Sequence, residues 1–351
     1  MIEPVPLTVL TGFLGAGKST VLNHLLRDPA LAGTAVLVNE FGEIGIDHLL
    51  VERLDETTVL LNAGCLCCTV RGDLVQALRD LYPRVEQGLV RRVIVETTGL
   101  ADPAPIIQTL MGDAFAAPRY RFDGVVTVVD AAHAMGQLDR QQEAVKQVAV
   151  ADRLVLTKTD LADAGALLPR LAALNPGAPV LVAEHGRVDA AALLNTGFDP
   201  ASKTADVRAW LAVEAHADHH GHRHDPNRHD ASIRAFAMVF DQPMHWQGVG
   251  PWLEMLLATQ GERILRLKGI LNLEGQERPV AIHGIQHVFH APALLPAWPE
   301  GDDRTSRIVM IVRDMDPAVV ESTLRAFEEA AREGSAQSGS APLMADIGAA
   351  P

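Results

Sequence analysis

The sequence predicts an α/β domain with a mostly parallel sheet, followed by a small C-terminal α+β domain. Over roughly the first 200 residues, short β-branched apolar segments alternate with longer amphipathic segments, as strands and helices do around a parallel sheet. Beyond a histidine-rich stretch this regular alternation ends, which indicates an α+β arrangement. A chain of 351 residues, of which 48% are hydrophobic, can bury enough apolar surface for two domains.

Changes in composition along the chain predict the domain boundaries. We expect a first domain over residues 1–200 and a histidine-rich linker over residues 201–231, because residues 216–230 lack apolar periodicity. The second domain is expected over residues 232–332. Residues 333–351 are rich in Ala, Gly and Ser and are expected to be disordered.

The candidate strands of the first domain are short and apolar, and each is followed by polar or glycine-bearing residues. Ligands bind at the carboxyl ends of the strands in open α/β sheets, so we expect the functional loops there. The predicted strands are Leu7–Thr11, Ala35–Val38, Val59–Leu61, Arg92–Val95, Val125–Val129, Leu154–Leu156 and Val180–Val182. The second domain is predicted to contain strand Ile233–Phe240, helix Trp246–Gln260, strands near 263–273, 279–290 and 306–312, and helix Pro317–Arg332.

Charge and hydropathy exclude several classes of partner. The formal net charge of -14 argues against general binding to a nucleic-acid backbone, which requires a basic surface. The N-terminus lacks a basic region before an apolar stretch, and no run of about 18 apolar residues predicts a membrane span. We therefore expect a cytoplasmic protein that binds neither nucleic acid nor membrane.

A phosphate-binding loop is predicted directly after the first strand. The sequence Gly-Phe-Leu-Gly-Ala-Gly-Lys-Ser-Thr matches the pattern G-x-x-x-x-G-K-[ST] and precedes a helical pattern. Glycines let backbone N–H groups surround the phosphates, the lysine supplies a cation to the β- and γ-phosphates, and the serine hydroxyl coordinates Mg²⁺. The predicted nucleotide-binding residues are Gly12, Gly15, Ala16, Gly17, Lys18, Ser19 and Thr20.

The choice of base is predicted by Thr157, Lys158 and Asp160, which follow a strand and are similar to the Asn-Lys-x-Asp element of GTPases. A carboxylate at Asp160 can accept hydrogen bonds from both the N1–H and the 2-amino group of guanine. Adenine offers no such pair of donors and would leave the carboxylate unpaired, so GTP is favoured over ATP. Thr157 stands where the element usually has Asn, which removes an amide that normally braces the pocket.

A nucleotide-sensing segment is predicted at the end of the fourth candidate strand. Glu96 ends this apolar strand and Gly99 follows three residues later, a spacing that resembles the Asp-x-x-Gly switch. In that switch the acid reaches Mg²⁺ and the glycine N–H reaches the γ-phosphate. Glu96 and Ser19 are therefore the predicted magnesium ligands, and Lys18, Glu96 and Gly99 are candidate catalytic residues. An ordinary strand-end carboxylate is the alternative interpretation of Glu96.

The chain has three cysteines, Cys65, Cys67 and Cys68, which are too close together and odd in number for a disulfide framework. Small buried apolar side chains are the alternative, but that interpretation does not explain three thiols beside a glycine. Soft thiolates select zinc or copper(I) over Mg²⁺, and zinc prefers four tetrahedral ligands. Glu43 or water is expected to supply the fourth ligand, which leaves a metal site able to exchange ligands.

Five sequence motifs occur in a specific order, and the combination is more specific than any one of them: Gly12–Thr20, Asn39–Glu43 with Asp47, Gly64–Cys68, Glu96–Pro103 and Thr157–Asp160. Together they resemble the CobW/HypB/UreG family of SIMIBI-class P-loop GTPases, and the likeness is strongest to its zinc-chaperone branch. The resemblance spans most of the chain, including the smaller C-terminal domain. It implies a P-loop NTPase fold and GTP hydrolysis coupled to metal transfer from the cysteines.

The resemblance also assigns a role to the segment Asn39–Asp47, which becomes the first switch loop, beside both nucleotide and metal. Asp47 is then a candidate catalytic residue that positions Mg²⁺ or water. Relatives often have Glu where this chain has Val38, so one carboxylate that could complete a metal site is absent. The metal affinity or preference of this chain is expected to differ accordingly.

Six of the 14 histidines lie between His216 and His229. Neutral imidazoles bind zinc, nickel and cobalt readily, which predicts an accessory metal-collecting loop. A solvated polar linker is the alternative interpretation. The accessory ligands proposed on this basis are His216, His219, His220, His222 and His224.

These observations predict a GTP-hydrolysing metallochaperone that uses GTP and Mg²⁺ and delivers Zn²⁺ to a client metalloprotein. A second copy of the chain is a further candidate partner. One alternative keeps the activity but changes the metal, with Co²⁺ or Ni²⁺ in place of zinc, or with cobalt or iron insertion for corrin synthesis or nitrile hydratase. The other alternative is a metal-buffering protein in which nucleotide binding is vestigial.

Overall fold

The computed structural model of this chain describes residues 3–38, 70–194, 233–298 and 301–338. The chain divides into two compact units, residues 1–197 and residues 198–351. No helix within the described ranges is both long and apolar enough to cross a membrane. The predicted strand Val59–Leu61 and the histidine-rich linker lie outside the described residues.

The first unit is built on a parallel sheet, which confirms the predicted fold class. Within the described ranges the sheet has six strands in the order β2-β3-β1-β4-β5-β6, with β1 between β3 and β4. The strands are β1 (Val5–Gly12), β2 (Thr34–Val38), β3 (Arg92–Glu96), β4 (Tyr120–Asp130), β5 (Arg153–Thr157) and β6 (Val180–Val182). The inner strands are buried along nearly their whole length, as expected when helices cover both faces of a parallel sheet.

The helices of this unit follow the strands along the chain and bury one apolar face each. On α1 the buried residues Val21, Leu22 and Leu25 recur at helical spacing, and they pack into the core cluster that contains Leu10 of β1. The helices are α1 (Lys18–Leu26), α2 (Val70–Glu86), α3 (Ala104–Gly112), α4 (Ala134–Arg140), α5 (Gln142–Ala149), α6 (Leu167–Leu174) and α7 (Ala190–Leu193).

The second unit is an antiparallel sheet with two helices in the described ranges, and its strand order is β10-β9-β8-β12-β7, with β11 paired to β9. Trp252 of the first helix is fully buried in its core and donates from Nε1 to Thr323 Oγ1 at 3.1 Å. The elements are β7 (Ile233–Phe240), α8 (Trp246–Gln260), β8 (Ile264–Leu271), β9 (Val280–Ile285), β10 (Val288–Phe289), β11 (Ala293–Leu294), β12 (Ser306–Arg313) and α9 (Pro317–Ser338).

Two predictions for this unit were wrong in detail. The continuous strand predicted over 279–290 is a hairpin, in which the chain reverses at Gln286 (φ 50°) so that Val288 pairs with Ile285. Apolar residues continue on both sides of the reversal, so hydrophobic periodicity gave no sign of the turn. Helix α9 also extends to Ser338, beyond the predicted end at Arg332 and into the tail that was expected to be disordered from residue 333. A single glycine costs a helix only about 1 kcal/mol, so Gly334 does not end it.

A buried ion pair joins three strands of the first unit. Leu7 and Thr8 of β1 pair with Phe122 and Gly124, so Asp123 is the extra residue of a β-bulge in β4. The Asp123 side chain is fully buried and accepts a hydrogen bond from Arg92 Nη1 of β3 at 2.7 Å. Thr8 Oγ1 of β1 donates to the same carboxylate at 3.1 Å. The bulge thus directs one carboxylate at a group from β1, the neighbouring strand, and at a group from β3, the strand beyond it.

We predict that Asp123→Asn lowers the free energy of unfolding by about 3 kcal/mol, because it removes the negative charge that faces the largely buried guanidinium of Arg92. The measurement is chemical denaturation of the intact chain followed by circular dichroism. Asp80→Asn is the control, since Asp80 accepts an exposed hydrogen bond from Gln76 on α2 of the same unit. A loss from Asp123→Asn no larger than that of the control would contradict a stabilising role for the ion pair.

Candidate functional site

The candidate phosphate-binding loop joins β1 to α1 and depends on glycine for its backbone. Gly12, Gly15 and Gly17 have φ values of 144°, 74° and 94°, which residues with a Cβ rarely adopt. At Gly12 a Cβ would also lie 2.3 Å from the Val128 carbonyl oxygen of β4. Gly17 is the N-cap of α1, so backbone N–H groups at the helix N-terminus are available to an anion.

Lys18 is the first residue of α1, and its side chain folds back over the loop. Its Nζ donates to the carbonyl oxygen of Gly12 at 2.9 Å and approaches that of Phe13 at 3.4 Å. These contacts hold the ammonium group above the loop rather than in solvent. A positive charge in this position can neutralise the phosphates of a bound nucleotide.

Ser19 and Glu96 meet at the carboxyl edge of the sheet. Glu96 ends β3 and is buried, and it pairs in register with Leu10 of β1 and with Val38 of β2. Ser19 Oγ donates to Glu96 Oε1 at 3.1 Å. A hydroxyl and a carboxylate in contact supply the hard oxygen ligands that Mg²⁺ requires, so these two side chains fit the predicted cation.

Gly99 lies against the phosphate-binding loop. A Cβ at Gly99 would be 2.5 Å from the backbone nitrogen of Leu14, so a side chain there would displace one of the two segments. Thr97, which precedes it, is held to β1 by a hydrogen bond from its Oγ1 to Thr11 Oγ1 at 2.7 Å. The candidate sensing segment therefore contacts the loop that would hold the phosphates.

Thr157 braces the loop through a different group from the expected amide. Its Oγ1 lies 2.7 Å from the Ala16 carbonyl oxygen and 3.2 Å from that of Val129, and it can donate to either. The usual amide is absent, as the sequence indicates, and the Thr157 hydroxyl reaches the loop in its place. Thr157 is the last residue of β5 and its β-branched side chain is buried, which fixes its orientation.

Lys158 and Asp160 follow in the loop after β5. Lys158 has a positive φ of 57° and donates from Nζ to the Gly15 carbonyl oxygen at 2.8 Å, so it links this loop to the phosphate-binding loop. Asp160 is exposed and thus accessible to a base. Thr20 is exposed as well and is approached by Gly186, at which a Cβ would lie 2.8 Å from Thr20 Cγ2.

Asp130 belongs to this site but was absent from the predicted set. It is the last residue of β4, and its Oδ2 lies 2.7 Å from Lys158 Nζ and 2.9 Å from His133 Nδ1. Burial by itself would raise the pKa of Asp130, but hydrogen bonds from Lys158, His133 and the Ala132 N–H outweigh burial and lower the pKa. Its position directly after the predicted strand Val125–Val129 was the signal that could have identified it.

Two other parts of the chain contact this site without any sequence motif. The turn from Glu184 to Arg187 follows β6 and brings Gly186 beside α1, but no motif marks it. Gln147 of α5 donates to the carbonyl oxygens of Gly99 and Ala101, and its spacing in the sequence gave no sign of this contact.

Several predicted site residues lie outside the described residues: Glu43, Asp47, Cys65, Cys67, Cys68, His216, His219, His220, His222 and His224. Among the side chains that the structure describes, no group of three or more His, Cys, Asp or Glu residues could hold a metal ion.

Two protein-family models match this chain. The nucleotide-binding domain of CobW/HypB/UreG matches residues 6–182, and the C-terminal domain of the cobalamin synthesis protein cobW matches residues 233–328. The chain belongs to the CobW/HypB/UreG family. It is a P-loop GTPase, in agreement with the predicted activity.

Individual relatives of this CobW-family chain cover nearly its whole length. The zinc chaperone YjiA of Escherichia coli strain K12 is 35% identical over 318 residues, which are 89% of this chain and 94% of YjiA. The zinc chaperone CobW of Sinorhizobium is 30% identical and aligns with 92% of this chain and 97% of its own length. A crystal structure of Zn(II)-bound YjiA GTPase from E. coli superimposes with a TM-score of 0.69 at 30% identity, covering 93% and 99% of the two chains.

We predict that Asp130→Asn in this CobW-family GTPase weakens GTP binding about fivefold, because Lys158 loses a hydrogen bond to a charged acceptor. A titration with fluorescent nucleotide measures the affinity. Asp163→Asn is the control, since Asp163 accepts an exposed hydrogen bond from the Gly165 N–H in the same loop region. Equal affinity in the wild type and the Asp130 variant would contradict the prediction.

The effect of Asp130→Asn on the stability of the protein is also predicted to depend on pH. Folding lowers the pKa of Asp130. The ionised carboxylate therefore stabilises the folded state fully above its pKa in the unfolded chain, about 3.9. This stabilisation is lost as the pH falls through the lower pKa of the folded state. The stability difference between wild type and Asp130→Asn should therefore narrow as the pH falls below about 4. Urea unfolding at several pH values in this acidic range measures the difference, and a difference that widens as the pH falls below about 4 would contradict the sign.

Proposed function

We propose that this GTPase is a cytoplasmic metallochaperone that binds zinc through Cys65, Cys67 and Cys68 and transfers it to a client metalloprotein in a GTP-dependent manner. The main support for this proposal is the register between β2 and β3. Val38, the last described residue before the segment 39–69, pairs with Glu96. The described part of the chain that precedes the cysteines therefore ends beside the candidate magnesium ligand.

The names of the relatives support the choice of metal. YjiA of E. coli and CobW of Sinorhizobium are both named zinc chaperones, and both align with about nine tenths of this chain. Thiolates favour zinc over the hard cations that bind at oxygen ligands. Zinc would thus be the transported ion, whereas Mg²⁺ would stay with the nucleotide. The histidines between His216 and His229 would serve as accessory ligands.

The residues of the nucleotide site would divide the work of hydrolysis among them. Lys18 would neutralise phosphate charge, Ser19 and Glu96 would hold Mg²⁺, and Asp160 would accept hydrogen bonds from guanine. Bound Mg²⁺ supplies charge stabilisation for the β- and γ-phosphate oxygens. Gly99 would contact the γ-phosphate through its N–H, and Asp47 would position water or Mg²⁺.

Zinc affinity would depend on the nucleotide through the segment Asn39–Asp47. If Glu43 joins the three thiolates in one nucleotide state and leaves in the other, the zinc affinity changes between the two states. Such coupling is reciprocal, so zinc must change the affinity for GTP by the same factor. The candidate nucleotide site keeps Lys18 on the phosphate-binding loop and Ser19 against Glu96, which favours this function over metal storage with a vestigial nucleotide site.

We predict that the zinc dissociation constant of the wild type differs at least about fivefold between the states bound to GDP and to a non-hydrolysable GTP analogue. Equilibrium titration with a chromogenic zinc chelator measures both constants. Cys67→Ser in a chain that lacks residues 216–230 should lose high-affinity zinc binding, because one of three thiolates is gone and the histidines cannot compensate. Identical zinc affinities in the two nucleotide states of the wild type would overturn the proposal.

Lys18→Ala provides the matched control for this experiment. It should abolish hydrolysis and the nucleotide dependence of zinc binding, because the phosphates lose their cation. It should leave zinc uptake itself intact, since the thiolates are unchanged. Circular dichroism checks that this variant is folded, so that loss of zinc binding by a folded Lys18→Ala chain would contradict separate nucleotide and zinc sites.

A further inference from the structure

The segment that joins β3 to α3, residues 97–103, is held from two opposite sides. On one side it contacts the phosphate-binding loop, where Gly99 approaches Leu14 so closely that no Cβ fits between them. On the other side it contacts α5, a helix that carries none of the residues assigned to the nucleotide site. The contact with α5 is made by polar groups, and its hydrogen bonds from Gln147 are buried.

Gln147 makes the central contact between α5 and this segment. Its side chain is 1% exposed, and its Nε2 donates to the carbonyl oxygens of Gly99 at 3.2 Å and Ala101 at 3.0 Å. Both acceptors are carbonyls, so only the amide nitrogen can face them. The neighbouring Lys146 donates from Nζ to Asp102 Oδ2 at 3.2 Å. Two consecutive residues of α5 thus hold residues 99–102.

Helix α5 is itself anchored to the sheet. The carbonyl oxygen of Gln147 accepts a hydrogen bond from Thr127 Oγ1 of β4 at 2.7 Å. At the end of the helix the buried Asn175 donates from Nδ2 to three carbonyl oxygens, those of Val148, Ala149 and Ala151. The amide of Gln147 therefore projects from a fixed support, and it restricts the segment rather than following it.

The hydrogen bond to the Gly99 carbonyl also bears on the Gly99 N–H. The N–H and the carbonyl belong to consecutive peptide planes joined at Cα, and a glycine has more freedom to rotate these planes than other residues. Fixing the carbonyl plane against α5 while the Cα abuts Leu14 leaves few orientations for the N–H. This restriction matters for any function that needs the N–H to point at a phosphate.

We propose that Gln147 is a positioning residue for GTP hydrolysis, which holds Gly99 in the orientation that accepts the γ-phosphate. This inference rests on the proposed contact of Gly99 with the γ-phosphate, and it does not depend on zinc. Gln147 would favour the state bound to GTP over the state bound to GDP, because only GTP offers the γ-phosphate. A ligand shifts such an equilibrium only through a difference in affinity between the two states.

The test compares nucleotide affinities of the intact chain before and after Gln147→Met, which keeps the side-chain length and removes both donated hydrogen bonds. The affinity for a non-hydrolysable GTP analogue should fall about tenfold, as expected for two lost hydrogen bonds, and kcat should fall as well. The affinity for GDP should stay within about twofold, since GDP has no γ-phosphate. Equal losses for both nucleotides, or no loss for either, would overturn the proposal.

Asn175→Ala is the matched control, because it removes another buried amide that contacts the same helix but not residues 99–102. It should lower thermal stability and leave the ratio of the two affinities unchanged. If Asn175→Ala changes the ratio as much as Gln147→Met does, general loosening of α5 explains the effect of both variants. That outcome would contradict a specific role for Gln147. Should Gln147→Met fail to fold, Lys146→Met tests the same segment through a partly exposed side chain and should shift the ratio in the same direction.

Gly99→Ala separates failure of this inference from failure of the proposed role of Gly99. A methyl group at Gly99 meets the Leu14 backbone, so the variant should lose affinity for the GTP analogue more than for GDP. If Gly99→Ala lowers the ratio of the affinity for the GTP analogue to the affinity for GDP and Gln147→Met does not, the positioning role of Gln147 is wrong. If neither variant changes the ratio, the contact of Gly99 with the γ-phosphate is wrong, and the inference is overturned with it.

Discussion

Strand β1 pairs in parallel with β3 on one side and with β4 on the other, and the arrangement of the nucleotide site depends on this pairing. The register places Glu96 of β3 opposite Leu10, and Gly12 opposite Val128 of β4. Because the strands are parallel, their carboxyl ends meet at one edge, and β5 adds Thr157 opposite Asp130. A phosphate-binding loop can leave β1 at this crowded edge only because the residue at position 12 has no side chain.

The parts of the fold that the sequence predicted are those determined by local patterns. Apart from the start of β4, which lies at Tyr120 instead of Val125, the described strands of the parallel sheet were predicted within about two residues. A strand buried on both faces is apolar without interruption, which makes such strands visible in the sequence. The phosphate-binding loop was predicted because its glycines, lysine and serine act within a few residues of one another. The hairpin at Gln286 was missed for the same reason, since its two strands have the same apolar character as a single longer strand.

The contacts that were missed join residues far apart in the chain. Asp130 meets Lys158 across 28 positions, and Gln147 meets Gly99 across 48. Neither contact leaves a periodic signal, because the first depends on which strand ends are adjacent in the sheet and the second on where α5 packs. Thr157 illustrates the same limit, since comparison with a motif suggested a lost interaction, whereas the hydroxyl contacts a loop 141 positions away.

The two hydrogen bonds from Gln147 end on backbone carbonyls, which every amino acid provides. Leu100 lies between the two acceptors and is 52% exposed, so its side chain takes no part in these bonds. Substitutions at this position can therefore accumulate during evolution without breaking the attachment to α5. The outer surface of the segment can thus change in chemical character while its inner face keeps the same hydrogen bonds.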